Sequence, residues 1–110
     1  MKVFVSQPHK NRSWEQLEAT SAKIVEEIQK RRPNENVIEV PMLSPDQFKG
    51  QHPVYYLGMN LQMMCQADLV VFEPGWWESR PCCIEHDVCD QYGIDYIDLN
   101  LGPEKEGVVS

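Results

Sequence analysis

The run "DLVVF", residues 68–72, sets the strongest limit on what this chain can fold into. It is short, apolar and β-branched, and it lacks the alternation of a strand with one wet face. It therefore reads as a central strand buried on both sides. A similar run, "KVFVS" (2–6), opens the chain, and "NVIEV" (36–40) supplies another. "IDYIDL" (94–99) alternates strictly and reads as a last strand with one wetter face. Between these runs lie segments with helical spacing. A strand–helix alternation of this kind implies a parallel sheet with helices packed on both faces.

The helical segments carry their own punctuation. Ser13 is placed to cap a first helix, with Gln16 completing a capping box. Trp14, Leu17, Ser21, Ile24, Val25 and Ile28 then recur at helical spacing until Pro33 stops the pattern. A second helix is expected from Val54 to Cys65, although apolar residues appear on most of its faces and Gly58 weakens it. "PGWWE" reads as a turn. Ser79 then caps a third helix running to Gln91, and Gly93 closes it. The segment 41–53, with three prolines and a glycine, is irregular, and the tail "GPEKEGVVS" has no periodicity.

With 110 residues, of which 42% are apolar and 25% charged, the chain is expected to form one domain, 1–110. Ten cationic residues against 17 acidic ones give a net charge of −7, which opposes binding to a phosphate backbone. Lys30, Arg31 and Arg32 sit at a helix end, where they complement the dipole. No nucleic-acid partner is expected, whereas a small nucleotide needs only a local cluster of donors. No run approaches the roughly 20 apolar residues that span a bilayer, and none suits a signal peptide. The expectation is no membrane partner, a cytoplasmic location and reduced thiols. The adjacency of Cys82 and Cys83 also disfavours a disulfide framework.

A parallel α/β sheet holds its ligand crevice outside the carboxyl ends of its strands. That edge gathers Ser6 to Ser13, the 41–53 loop and the turn Pro74 to Ser79. On the third helix, Ile84, Val88 and Tyr92 form one apolar stripe, and Cys82, His86 and Cys89 form a second on another face. Glu85 falls between them, less than two turns from the helix start and close to the crevice. A carboxylate there can act as nucleophile or acid/base; the plainer reading is a surface glutamate.

Cys82, His86 and Cys89 have the ligand chemistry of a zinc site but no evident fourth ligand. Small buried thiols and a hydrogen-bonded His account for them, so no metal is expected; a Cys82–His86 catalytic pair is a further alternative. Ser79, Arg80 and the first-turn N–H groups can hold a phosphate or a ribose hydroxyl; otherwise they are a plain cap and a solvent-facing Arg. One of Trp76 and Trp77 can stack on a base while the other packs on a neighbouring helix or subunit. Gln7, His9, Asn11 and Arg12 face the same crevice from the first loop, with His52, Tyr55, Tyr56 and Asp46 on the second rim. Asp68 lies at the wrong end of its strand and reads as a turn residue.

"KVFVSQP" followed by "YLGMNLQMMCQADLVVFEPGWWESRPCCIEHDVCDQYGI" resembles the nucleoside 2-deoxyribosyltransferase-like superfamily, in particular a small bacterial and phage branch of it. The resemblance spans nearly the whole chain, and its most specific part is 68–85. It implies a flavodoxin-like, Rossmann-like three-layer sandwich with a parallel sheet of four to five strands. It also implies a nucleoside or nucleoside 5′-monophosphate as ligand, cleavage or transfer at the N-glycosidic bond, and a homodimer or higher homo-oligomer. Glu85 takes the nucleophile position. The substrate-binding set becomes Ser6, Gln7, His9, Trp76, Trp77, Ser79 and Arg80, and no cofactor or metal is required. Four positions depart from the pattern. Ser79 stands where transferases hold an Asp. Gln7 and Pro81 replace glycines, and His86 replaces a small residue. These departures keep two further readings open: a non-catalytic nucleotide-binding or sequestering protein, and a structural oligomer.

Overall fold

A computed structural model describes residues 1–99 of the chain. Four strands form one parallel sheet: β1 (Lys2–Ser6), β2 (Ile38–Glu39), β3 (Leu69–Phe72) and β4 (Tyr96–Asp98), in the order β2-β1-β3-β4. Three helices connect them: α1 (Trp14–Arg31), α2 (Pro53–Met64) and α3 (Arg80–Tyr92). This is a small α/β domain of the Rossmann or flavodoxin kind, with β1 and β3 at its centre.

Strand parity divides the core into two layers. Val3, Val5, Leu69 and Val71 pack with Ile24 and Ile28 of α1 on one face. Phe4, Val70 and Phe72 pack with Met64 at the end of α2 and Cys89 of α3 on the other. All four residues of β3 are buried, as its unalternating apolar run requires. Ser6 is two residues beyond Phe4, so its side chain emerges on the α2/α3 face.

The expected start and stop signals operate. Ser13 Oγ accepts from Gln16 N (3.1 Å) and Gln16 Oε1 accepts from Ser13 N (2.8 Å), which closes the capping box of α1. Gly93 ends α3 in the left-handed region (φ 69°), where a Cβ would be strained. Asp68 lies at the amino end of β3 and accepts from Lys2 N (2.7 Å), far from the crevice edge. Within the 41–53 segment, Ser44 caps a short 3₁₀ turn, Pro45–Phe48.

Three expectations need correction. The strand expected over 36–40 pairs only at Ile38–Glu39, although Val40 N still donates to Val3 O (2.7 Å). The last strand is Tyr96–Asp98 rather than 94–99. Of the stripe Ile84–Val88–Tyr92 only Val88 packs against the core, while Ile84 is 38% exposed and Tyr92 80%. α3 instead buries Cys82, Glu85 and Cys89. The contact of Glu85 with Ser6 and those of His86 with Phe72, Trp76 and Tyr96 hold this rotation. The tail 102–110 lies outside the described residues. Among the described residues, no helix is long and apolar enough to cross a membrane.

Candidate functional site

The carboxyl end of β1 delivers Ser6 to the crevice edge, and α3 delivers Glu85 to meet it. Ser6 Oγ donates to Glu85 Oε1 at 2.6 Å, with both residues buried. Glu85 is only 6% exposed. Burial disfavours its charged form and pushes its pKa up to about 7, while the Ser6 hydrogen bond pulls the other way. The carboxyl is thus poised to change charge near neutral pH. It is neither a surface glutamate nor a group paired with a local cation.

Cys82, one turn before Glu85, has its pKa raised to about 11, first by burial; hydrogen bonds to Ser6 and Ser79 oppose the shift, and the Glu85 charge adds to it. A thiol held so far from ionisation is a poor nucleophile, which counts against a Cys82–His86 pair. Cys89 is likewise pushed up to about 11, chiefly by burial. Among the described residues, no three His, Cys, Asp or Glu side chains converge on a position for a metal ion.

His86 is held by aromatic rings and carboxylates. Its ring lies flat on Trp76, with centroids 3.8 Å apart and planes 7° apart, and meets Tyr96 and Phe72 at a tilt. Its Nε2 is 3.0 Å from Asp98 Oδ1, and its Nδ1 is 3.7 Å from Asp90 Oδ2. Trp76 is therefore engaged in the packing of α3 against β3. Trp77 meets Trp76 edge-on and is 61% exposed, so of the pair it has the freer face. Sequence spacing had grouped His86 with the cysteines; its aromatic and acidic partners lie on other elements.

The first loop is held by a clamp that sequence reasoning missed. Arg12 reaches Glu73, which immediately follows β3, through two contacts: Nη1–Oε1 at 2.5 Å and Nη2–Oε2 at 3.3 Å. Arg12 also donates to Pro8 O (2.9 Å) and Gln7 Oε1 (3.1 Å). The available signal was an acidic residue directly after the central strand, facing an arginine in the loop after β1. Gln7 is buried, and its amide donates to Leu17 O (3.1 Å) and Met42 Sδ (3.4 Å). Its side chain thus braces the loop from below.

Ser79 caps α3, its Oγ accepting from Cys82 N at 3.4 Å, and Arg80 beside it is exposed. His9 is exposed on the first loop and lines a pocket of about 250 Å³ with Arg12, Trp14, Leu17, Ser44 and Asp46. Its ring centroid lies 6.4 Å from that of Tyr56 on α2. The Tyr56 pKa is raised first by burial; a hydrogen bond to Asn60 opposes this, and the charge of Glu85 adds to it. Glu85 lines neither this pocket nor the neighbouring one walled by Trp14, Glu18, Glu39, Pro41 and Met42.

The structure thus brings Ser6 and Glu85 into contact. It places His9 beside Tyr56 on the first loop's rim, and it uses Gln7, Trp76 and Ser79 in internal contacts. Arg80 and Trp77 stand at the surface. The chain matches no family model, no curated protein and no solved structure.

Proposed function

We propose that this domain binds a deoxynucleoside or its 5′-monophosphate and cleaves the N-glycosidic bond through Glu85. The observation that supports this reading is the Ser6–Glu85 pair: a buried carboxyl, titrating near neutrality, at the edge where a parallel sheet holds its ligands. Ionised Glu85 attacks C1′, and a bond forms from a carboxylate oxygen to that carbon. The C1′–N bond breaks, and the electron pair leaves with the base, which takes a proton from water. Water or a second base then releases the sugar from the enzyme. The Ser6 hydroxyl favours the ionised form of the nucleophile by donating to it. Arg80 and the α3 N-terminus hold phosphate or hydroxyl oxygens, while His9 and Trp77 border the base. In the same reading the molecule is a homo-oligomer that works in the cytoplasm.

A second reading, nucleotide binding without turnover, is favoured by the closure of the Ser6–Glu85 pair and by its position outside the neighbouring pockets. A chromatographic screen of nucleosides and monophosphates, with and without a free acceptor base, separates the two. Release or exchange of base by the wild type, and neither by Glu85→Gln, is the expected result. Turnover unchanged in Glu85→Gln removes Glu85 from the chemistry. Intact ligand recovered in bound form throughout establishes the second reading.

A further inference from the structure

Trp14 stands between two hollows. On one side it lines a cavity of about 460 Å³ with Glu18, Glu39, Pro41 and Met42, and on the other it lines the pocket of His9 and Asp46. The indole is half-buried and forms a wall common to both.

The larger hollow is lined by two carboxylates and no cation. Glu18 comes from α1 and Glu39 from the end of β2. Glu39 is half-buried and accepts from the hydroxyl of Ser21, itself a buried residue of α1. That bond holds the carboxylate in place without neutralising it. Among the described residues no ion pair reaches Glu18, Glu39 or Asp46. The basic groups of the smaller pocket are engaged or uncharged: Arg12 is paired with Glu73, and desolvation, then the Arg12 charge, lowers the pKa of His9. A half-buried carboxylate without a counter-charge is costly, and a bound cation removes that cost.

The lining selects among cations. Among the described residues no three His, Cys, Asp or Glu side chains converge on one point, so a bare metal ion finds no coordination shell. An ammonium group on an apolar stem suits the lining better. The carboxylates take the charge, and the methylenes lie against Trp14, Pro41 and Met42. We propose that the two hollows form one binding site for a linear aliphatic amine with two or more ammonium groups. One ammonium is held by Glu18 and Glu39 and another by Asp46, with the stem crossing the indole. The net charge of −7 draws such a ligand in. The site does not use the Ser6–Glu85 pair, and the proposal is independent of the glycosidic chemistry.

Isothermal titration calorimetry with putrescine, spermidine, butylamine and magnesium ion tests it. Putrescine and spermidine should bind more tightly than butylamine, and added salt should weaken them. Glu18→Gln and Glu39→Gln should each weaken spermidine binding about two- to fivefold. Asp46→Asn should reduce the advantage of putrescine over butylamine. Glu18 is exposed, so its variant reports on the site even where Glu39→Gln disturbs the fold. Glu26→Gln removes the same charge about two turns further along α1, outside both hollows, and should leave binding unchanged. Three results overturn the assignment. One is a protein that binds none of the amines. Another is an equal loss in Glu26→Gln and Glu39→Gln, which marks diffuse attraction to an acidic protein. The third is displacement of spermidine by an equal concentration of magnesium ion, which marks an unselective acidic patch.

Discussion

The hydroxyl of Ser6 lies 2.6 Å from the Glu85 carboxylate, across 79 residues of sequence, and this bond joins the central sheet to α3 inside the protein. It opposes the burial that raises the Glu85 pKa to about 7. Ser6→Ala should therefore move the Glu85 titration further up. Losing the partner of a buried carboxylate costs about 1–3 kcal/mol. Chemical denaturation of wild type and variant at pH 5 and pH 9 should show the larger loss at pH 9. An equal loss at both would mean that the bond does not discriminate between the charge states.

The raised pKa of Glu85 makes stability depend on pH with a definite sign. Between its ordinary value of 4.5 and about 7, the folded state holds a proton that the unfolded state has released. The corresponding stability is fully present below the unfolded value and is lost as pH rises through the folded one. Its upper size is about 3 kcal/mol. Glu85→Gln removes the titration, so its stability should be flatter across this window and should exceed the wild type above pH 8. Urea midpoints at intervals from pH 4 to 9 provide the check. For turnover the direction reverses: the rate should climb through about pH 7 as the nucleophile ionises.

The flat stack of His86 on Trp76 ties the turn after β3 to α3. Aromatic pairs of this kind contribute about 0.5–1.5 kcal/mol beyond the area they bury. A double-mutant cycle with His86→Ala and Trp76→Ala should return a coupling in that range. Strictly additive losses would show that the two rings merely share a location.

Arg12 and Glu73 form a two-point pair that holds the first loop against the end of β3. Either Arg12→Ala or Glu73→Ala should destabilise by about 1–3 kcal/mol, because each leaves a half-buried charge without its partner. Arg12→Lys should recover only part of the loss, since an ammonium cannot make both contacts in one plane. Full recovery by lysine would reduce the clamp to simple charge neutralisation. Hydrogen exchange of the backbone amides from Gln7 to Ser13 should quicken in all three variants.

The elements of the fold were legible because their signals are local. The capping box of Ser13 and Gln16, the Ser79 cap and the Gly93 stop each act within a turn of where they stand. The unalternating "LVVF" identifies a two-sided strand without reference to anything else. The rotation of α3 was not legible. Ile84, Val88 and Tyr92 repeat at helical spacing as convincingly as Cys82, Glu85 and Cys89 do. The choice between them falls to Ser6, Phe72, Trp76 and Tyr96, none of which is on that helix. The position of Glu85 near the crevice followed from counting along α3, whereas its partner followed only from the parity of β1, where Ser6 shares a face with Phe4. Glu73 was passed over because its role depends on a residue 61 positions away.

Among the described residues the sheet is bounded by β2, two residues long, and β4, three residues long, and each carries a carboxylate, Glu39 and Asp98. Strands this short and this charged offer a passing chain almost no ladder on which to pair. Among the described residues both margins of the sheet thus disfavour edge-to-edge growth into fibrils.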